Sequence, residues 1–202
     1  MLATVAGVSH IRRAEPDDRQ AIYDVCRLTG DAGQDATEKF DDPLLLGHVY
    51  AWPYVRFEPE LAFVVADDEG VGGYVLGALD VVSFAARLER EWWPGLRAQY
   101  PDGGDYRASD RRLVEMIHRP RSGSAHHAAH PSELHIDLLP RCQGTGAGRQ
   151  LMSTLLDALR AAGSPGVHLG VDPRNTHACG FYRHLGFDEH RTDRIVTFTL
   201  DL

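Results

Sequence analysis

Gln143-Gly144-Thr145-Gly146-Ala147-Gly148-Arg149 has the residue types that a phosphate-binding turn needs. Before it runs Leu134-His135-Ile136-Asp137-Leu138-Leu139, a short apolar strand pattern ended by Pro140, which has no N–H to give to a ladder. After it, Leu151, Met152, Leu155, Leu156 and Leu159 recur with the period of a helix. Strand, glycine turn, helix is therefore the expected order. Unpaired N–H groups and the positive end of the helix dipole bind phosphate there, and glycine lets a bulky anion approach the backbone. A Walker loop would need a lysine, and none is present. A G-x-G-x-x-G fingerprint fails from Gly144, where its last position is Arg149, and from Gly146, where it is Leu151. A plain glycine turn is the alternative reading of this hexapeptide alone.

The pattern that does fit is [Q/R]-x-x-G-x-[G/A], with Gln143 as its first residue; Arg141-x-x-Gly144-x-Gly146 is a second register. A further stretch follows one helix later. Gly166 to Val171 reads as a buried strand, and Asn175-x-x-Ala178-x-x-Phe181-Tyr182-x-x-Leu185-Gly186-Phe187 as a helix. Phe181, Leu185 and Phe187 suit a core whatever the function, and Gly186 suits a helix C-terminus. Both stretches, in this order, resemble the acetyl-CoA loop and last helix of the GNAT (Gcn5-related N-acetyltransferase) family.

That resemblance implies an α/β fold, a mixed central sheet with helices on both faces, and acetyl-CoA as co-substrate. It implies direct attack of an amine on the thioester, with no covalent enzyme intermediate. It places the cofactor's pyrophosphate on Gln143, Gly144, Thr145, Gly146, Ala147, Gly148 and Arg149. It lays the pantetheine arm along the backbone of Ile136, Leu138 and Leu139, with an N–H near Leu138 polarising the thioester carbonyl. Family members splay two strands beside this arm, often with a bulge. Asn175 would contact the cofactor, and Tyr182, seven residues on, would lie beside the sulfur.

Tyr182 is the candidate general acid, a neutral phenol able to protonate a thiolate leaving group. The base is less defined. Many family members carry Glu five residues before the helix Asn, and Gly170 stands there. Asp137 and Asp172 lead the remaining candidates, followed by Glu133 and His135; a water relay is the other route. Strand alternation puts Glu133, His135 and Asp137 on one face. The missing glutamate keeps a second reading open, a non-catalytic acyl-CoA-binding or interaction module.

The whole chain bounds the class. Its 202 residues suit a single domain spanning 1–202, and 43% hydrophobic with 25% charged residues is ordinary globular composition. No run approaches the ~20 apolar residues of a membrane span, and Met1 to Ser9 lacks signal-peptide character. Three cysteines make no disulfide framework, so a cytoplasmic location is expected. A net charge of −8 argues against a general nucleic-acid binder.

In order, His10 to Ala14 reads as a strand, and Glu15-Pro16 opens a helix ending near Gly30. Residues 31–60 are rich in acids and aromatics, either a solvated face or a site for a cationic acceptor. Leu61 to Ala66 and Gly72 to Asp80 form a hairpin, in which Gly73 and Gly77 mark bulges or close approach of a ligand. A long insertion, about 81–131, separates the third and fourth strands. It holds helical pieces over 85–98 and 109–116 and is expected to cover the acceptor site, or to bury Trp92 and Trp93 against a partner subunit. His126, His127, His130 and His135 lack the spacing of a zinc helix, and no metal is expected. His190 to Leu202 reads as one closing strand. The first hundred residues, including Asp41-Asp42-Pro43 and Trp52-Pro53-Tyr54, and the insertion with Trp92-Trp93-Pro94 are similar to the acetyltransferase-like C-terminal domain of O-GlcNAcases. GNAT proteins often pair, which makes a homodimer an expectation.

Overall fold

The computed structural model of the chain describes residues 9–119 and 128–202. One sheet runs in the order β1 (His10–Arg13), β2 (Ala62–Asp67), β3 (Gly70–Ala78), β4 (Ser132–Leu138), β5 (Gly166–Val171), β7 (Val196–Asp201), β6 (Asp188–Arg191). Every neighbouring pair is antiparallel except β4 and β5. The helices are α1 (Arg19–Thr29), α2 (Leu45–Tyr50), α3 (Trp52–Phe57), α4 (Val81–Glu91), α5 (Trp93–Gln99), α6 (Ala108–His118), α7 (Ala147–Ala161) and α8 (Thr176–His184). This is the expected α/β architecture, a mixed sheet covered on both faces.

Strand alternation divides the core into two layers. Val64, Tyr74 and Leu76 face one side, where they meet Ile22, Val25 and Cys26 of α1, Tyr54 of α3 and Phe84 of α4. Phe63, Val65, Val75 and Leu134 face the other, against Leu151 and Leu155 of α7 and Tyr182 of α8. Helix α8 ends in a Schellman motif. Gly186, at φ 85°, donates to the Arg183 carbonyl, Phe187 donates to that of Tyr182, and their rings meet edge to face.

The insertion does enter between β3 and β4, but its described part adds to the first layer. The helix expected over 85–98 breaks at Trp92, because Pro94 sits in the first turn of a new helix, where no N–H is needed. Trp93 is buried in the chain's own core, and the Trp92 indole donates to the His48 carbonyl at 3.0 Å. Trp93 is therefore used inside the chain rather than against a partner subunit, and Trp92 is half-buried. Asp110, buried on α6, accepts the Asp41 and Asp42 amides at 3.2 Å each, tying the insertion to the chain before α2.

Two further expectations change. The closing strand is a hairpin: Thr192 turns β6 into β7, its hydroxyl accepting from the Ile195 amide at 3.2 Å. That turn has no glycine or proline, so nothing local announced it. The expected bulge in β4 is not there either, since its register with β3 runs unshifted from Glu133↔Ala78 to Leu138↔Gly73. The shift lies between β2 and β3 at Val65/Ala66. Gly73 does mark that shift, since Val65↔Gly73 is followed by Ala66↔Val71. Gly73 and Gly77 also answer to packing: a Cβ would stand 2.8 Å from the Asp137 carbonyl oxygen and 2.8 Å from Leu155 Cδ1, respectively.

Candidate active site

β4 and β5 stay paired at only two places, Ser132↔Val167 and Glu133↔His168. Each is held on its other side, β4 by β3 and β5 by β7, along its length. Beyond Glu133 the two therefore diverge, and a cleft of about 620 Å³ opens between them. The Leu139 amide donates to Gly72 on the β3 side at 2.8 Å. Antiparallel pairing alternates direction, so the polar backbone atoms of Asp137 also point toward β3, and those of Ile136 and Leu138 point into the cleft. Ile136 and the Leu138 amide thus offer the free edge expected for an extended ligand, while the Leu138 carbonyl already accepts from the Gln143 side chain. Leu139 does not, because its N–H is already used and its side chain lies outside the cleft lining.

At the wide end of the cleft the glycine loop enters α7. Gly146 is the N-cap at φ 92° and Gly144 has φ 72°; a Cβ on either would meet nothing within 4 Å. These are left-handed conformations facing open space, which suits an anion seated on the first amides of the helix. Gln143, Gly144, Gly146, Gly148 and Arg149 line the cleft. The Gln143 amide donates to the Leu138 carbonyl at 2.8 Å, so its side chain ties the loop to β4. Thr145 and Ala147 lie outside the lining. The Thr145 hydroxyl donates to the Cys142 carbonyl at 2.8 Å and accepts from the Ala147 amide, and Ala147 is buried. Both shape the loop from behind. Arg149 donates to His184 Nε2 at 2.7 Å, which places a guanidinium and an imidazole at the loop's rim.

Asp137 and Tyr182 line the cleft from opposite faces of the sheet. Asp137 belongs to the first layer, where the Tyr74 hydroxyl donates to its carboxylate at 2.7 Å. Burial pushes its carboxyl up to about 6, against the pull of the Tyr74 and Thr29 hydroxyls. Tyr182 is 4% exposed and its ring packs on Phe181, Phe187 and Phe198. Burial, with the nearby Asp137 charge, raises its phenol well above the ordinary value, so it stays protonated. Asn175 caps α8 by accepting the Ala178 amide at 3.0 Å, and it also lines the cleft.

Asp172, the other candidate base, is misplaced. It is exposed, outside the cleft lining, and held by Arg174 at 2.8 Å, which keeps its carboxyl below the usual range. Gly170 offers no substitute: a Cβ there would lie 2.6 Å from Ile195 Cδ1. Glu133 and His135 share the Asp137 face, but both meet the Tyr54 hydroxyl, at 2.9 and 3.1 Å, and neither lines the cleft. The acids of 31–60 do not line it either. Asp31 pairs with Lys39 and with Arg174, strapping the loop after α1 to the turn before α8. No residue of 81–119 lines the cleft, so the described part of the insertion does not cover it. His126 and His127 lie outside the described residues; His130 pairs with Asp201 at 3.0 Å. Sequence reading missed Thr29, Ala32, Gly33 and Gln34, which close one end, and His177 and His184. The 29–34 segment carries no local motif, and only the sheet topology brings it there.

Residues 28–187 match the acetyltransferase (GNAT) family, and the chain belongs to it. The structure of SsHAT is 41% identical, covering 96% of this chain and 98% of that one, with a TM-score of 0.89. The protein O-GlcNAcase of Rattus norvegicus is 26% identical over 189 residues, 92% of this chain and 20% of that protein. This chain thus spans about a fifth of the length of the O-GlcNAcases it matches. The yncA structure from Salmonella typhimurium, solved with its cofactor acetyl-CoA, is 17% identical, covers 96% of this chain and 94% of its own, and has a TM-score of 0.56. At that identity it shows the fold alone. Membership of the acetyltransferase (GNAT) family gives the open glycine loop and the β4 edge beside the cleft a common setting. Among the described residues no helix is long and apolar enough to cross a membrane.

Proposed function

We propose that the chain moves the acetyl group of acetyl-CoA to a primary amine of a small molecule or peptide by direct attack. The observation that carries this reading is that Asp137 and Tyr182, from opposite faces of the sheet, both line the cleft where the sheet opens. The thioester, when bound, supplies an activated acyl group and a thiolate leaving group. The residues of the chain do the rest. The loop from Gln143 to Arg149 holds the diphosphate on the α7 amides. The Ile136 and Leu138 backbone edge would align the arm, and the Leu138 amide, which points into the cleft, would polarise the thioester carbonyl. Asp137, ionised above about pH 6, takes a proton from the incoming ammonium or amine. Tyr182, protonated throughout the working range, gives one to the departing sulfur.

The test is a free-thiol assay across a panel of amines, polyamines, amino acids, aminoglycosides and peptides, run on wild type, Asp137→Asn and Tyr182→Phe. Turnover with at least one amine that both variants lower supports the reading. Acetyl-CoA binding without turnover on any amine would overturn it in favour of a non-catalytic acyl-CoA-binding module.

A further inference from the structure

We infer that Tyr74 is the positioning residue of Asp137: its enclosed hydroxyl donates to the carboxylate and fixes it toward the cleft. This rests on the reading of Asp137 as the base.

The geometry comes from the sheet. Tyr74 and Asp137 are direct partners in the β3–β4 register, and no shift occurs anywhere along that pairing. Their side chains therefore leave the same face side by side. The Tyr74 ring is fully buried, packed in the first layer with Val25, Cys26 and Tyr54, which fixes where its hydroxyl lies. It lies 2.7 Å from Asp137 Oδ2. A phenol has one hydrogen, and a carboxylate can only accept, so the direction is settled.

Tyr74 is the stronger of the two hydroxyls that act on the carboxylate. The Thr29 hydroxyl is close, but its hydrogen goes to the Val25 carbonyl at 2.7 Å. The remaining titratable neighbours are Cys26 on α1, Tyr182 on α8, and His135 and Glu133 on the same strand face. The Cys26 thiol also meets the Tyr74 hydroxyl, and burial beside the Asp137 charge pushes it up to about 12, so it stays neutral. Burial and the Asp137 charge drive the Tyr74 phenol well above its ordinary value, so it remains a donor across the whole working range. Burial alone would push Asp137 further toward its neutral form. The Tyr74 hydrogen bond opposes this and keeps the base ionised near neutrality.

The experiment reads Asp137 directly. Carboxyl carbon-13 titration by NMR, with the signal assigned through Asp137→Asn, is compared between wild type and Tyr74→Phe. Losing a hydrogen bond to a charged group is expected to raise the Asp137 midpoint by about one unit. The acid limb of kcat/KM should move to higher pH by the same amount, with KM for acetyl-CoA unchanged. Tyr100→Phe, which removes a 2.8 Å bond to Asp42 elsewhere, is expected to move neither. Should Tyr74→Phe fail to fold, site-specific 3,5-difluorotyrosine at position 74 strengthens the donor, and the midpoint should fall. An unmoved Asp137 midpoint in whichever variant folds overturns the inference. Full turnover by Asp137→Asn would instead overturn the base reading, so the two failures are distinguishable.

Discussion

Glu133 and His168 are the last residues at which β4 and β5 keep their parallel pairing. Beyond that contact each strand follows its other neighbour, and the sheet parts like a wedge. Two consequences follow from this one separation. The backbone edge at Ile136 and Leu138 loses its partner and becomes a binding surface, because unpaired polar groups must find another. Asp137 and Tyr182, which an intact sheet would keep apart on opposite faces, share one cavity.

The loop at the wide end should be sensitive at Gly146. Its φ of 92° suits glycine, and an L side chain there costs about 1–2 kcal/mol. Gly146→Ala should therefore bind acetyl-CoA only modestly more weakly, since its Cβ points into open space. Gly146→Glu places a carboxylate where the diphosphate sits and should abolish binding. Calorimetric titration of the folded variants, checked by circular dichroism, reads both. Tight binding by Gly146→Glu would remove the loop from the cofactor site.

How far the sequence could be read depended on range. The glycine loop, Asn175 and Tyr182 lie within short motifs whose chemistry is local, and they line the cleft together. The strand order was legible as far as β5, where period and punctuation agree. The β6–β7 turn was not, because Thr192 makes it by hydrogen bonding without glycine or proline. Asp172 looked as good a base as Asp137 on paper. The difference is that Arg174 holds Asp172 at the surface, whereas Tyr74 holds Asp137 inside. Both relations depend on side-chain direction, as does Trp93, whose core lies in helices distant in sequence.

Tyr182→Phe separates acid catalysis from packing. The ring contacts with Phe187 and Phe198 survive the change, and the hydroxyl makes no side-chain hydrogen bond among the described residues. Stability should shift by less than about 1 kcal/mol. Turnover should fall about a hundredfold, with acetyl-CoA affinity nearly intact, as expected for a lost proton donor. Steady-state kinetics with thermal melting measures both. A turnover rate equal to that of wild type would show that the hydroxyl is structural.

Gly73→Ala should damage the site from behind. The new Cβ would stand 2.8 Å from the Asp137 carbonyl oxygen and 3.1 Å from Leu138 Cα, and both are backbone atoms of a paired strand. Neither can swing aside as a side-chain end would. The expected cost is about 1–3 kcal/mol, the range for overpacking. Because β4 must shift, acetyl-CoA affinity should fall too, although residue 73 lies outside the cleft lining. Urea unfolding with calorimetry tests the pair of effects, and a variant with unaltered stability would contradict the packing account.

Asp137 should carry a stability cost that its amide does not. Burial raises its carboxyl from an ordinary value near 3.8 to about 6. The folded state therefore holds the proton more tightly than the unfolded chain does. Protonation stabilises the fold relative to ionisation, so stability contributed by this group is complete below about pH 4 and declines as pH rises to about 6. Above that the ionised, half-buried carboxylate costs roughly 1–3 kcal/mol. Asp137→Asn can still accept the Tyr74 hydrogen bond and has no charge to desolvate. Its melting temperature should exceed that of wild type at pH 7.5 by several degrees, and the gap should close toward pH 4.5. Scanning calorimetry of both proteins across that range gives the answer. A gap that is constant with pH would mean that Asp137 titrates as an ordinary surface carboxylate, which would remove the physical ground for its acting as a base near neutrality.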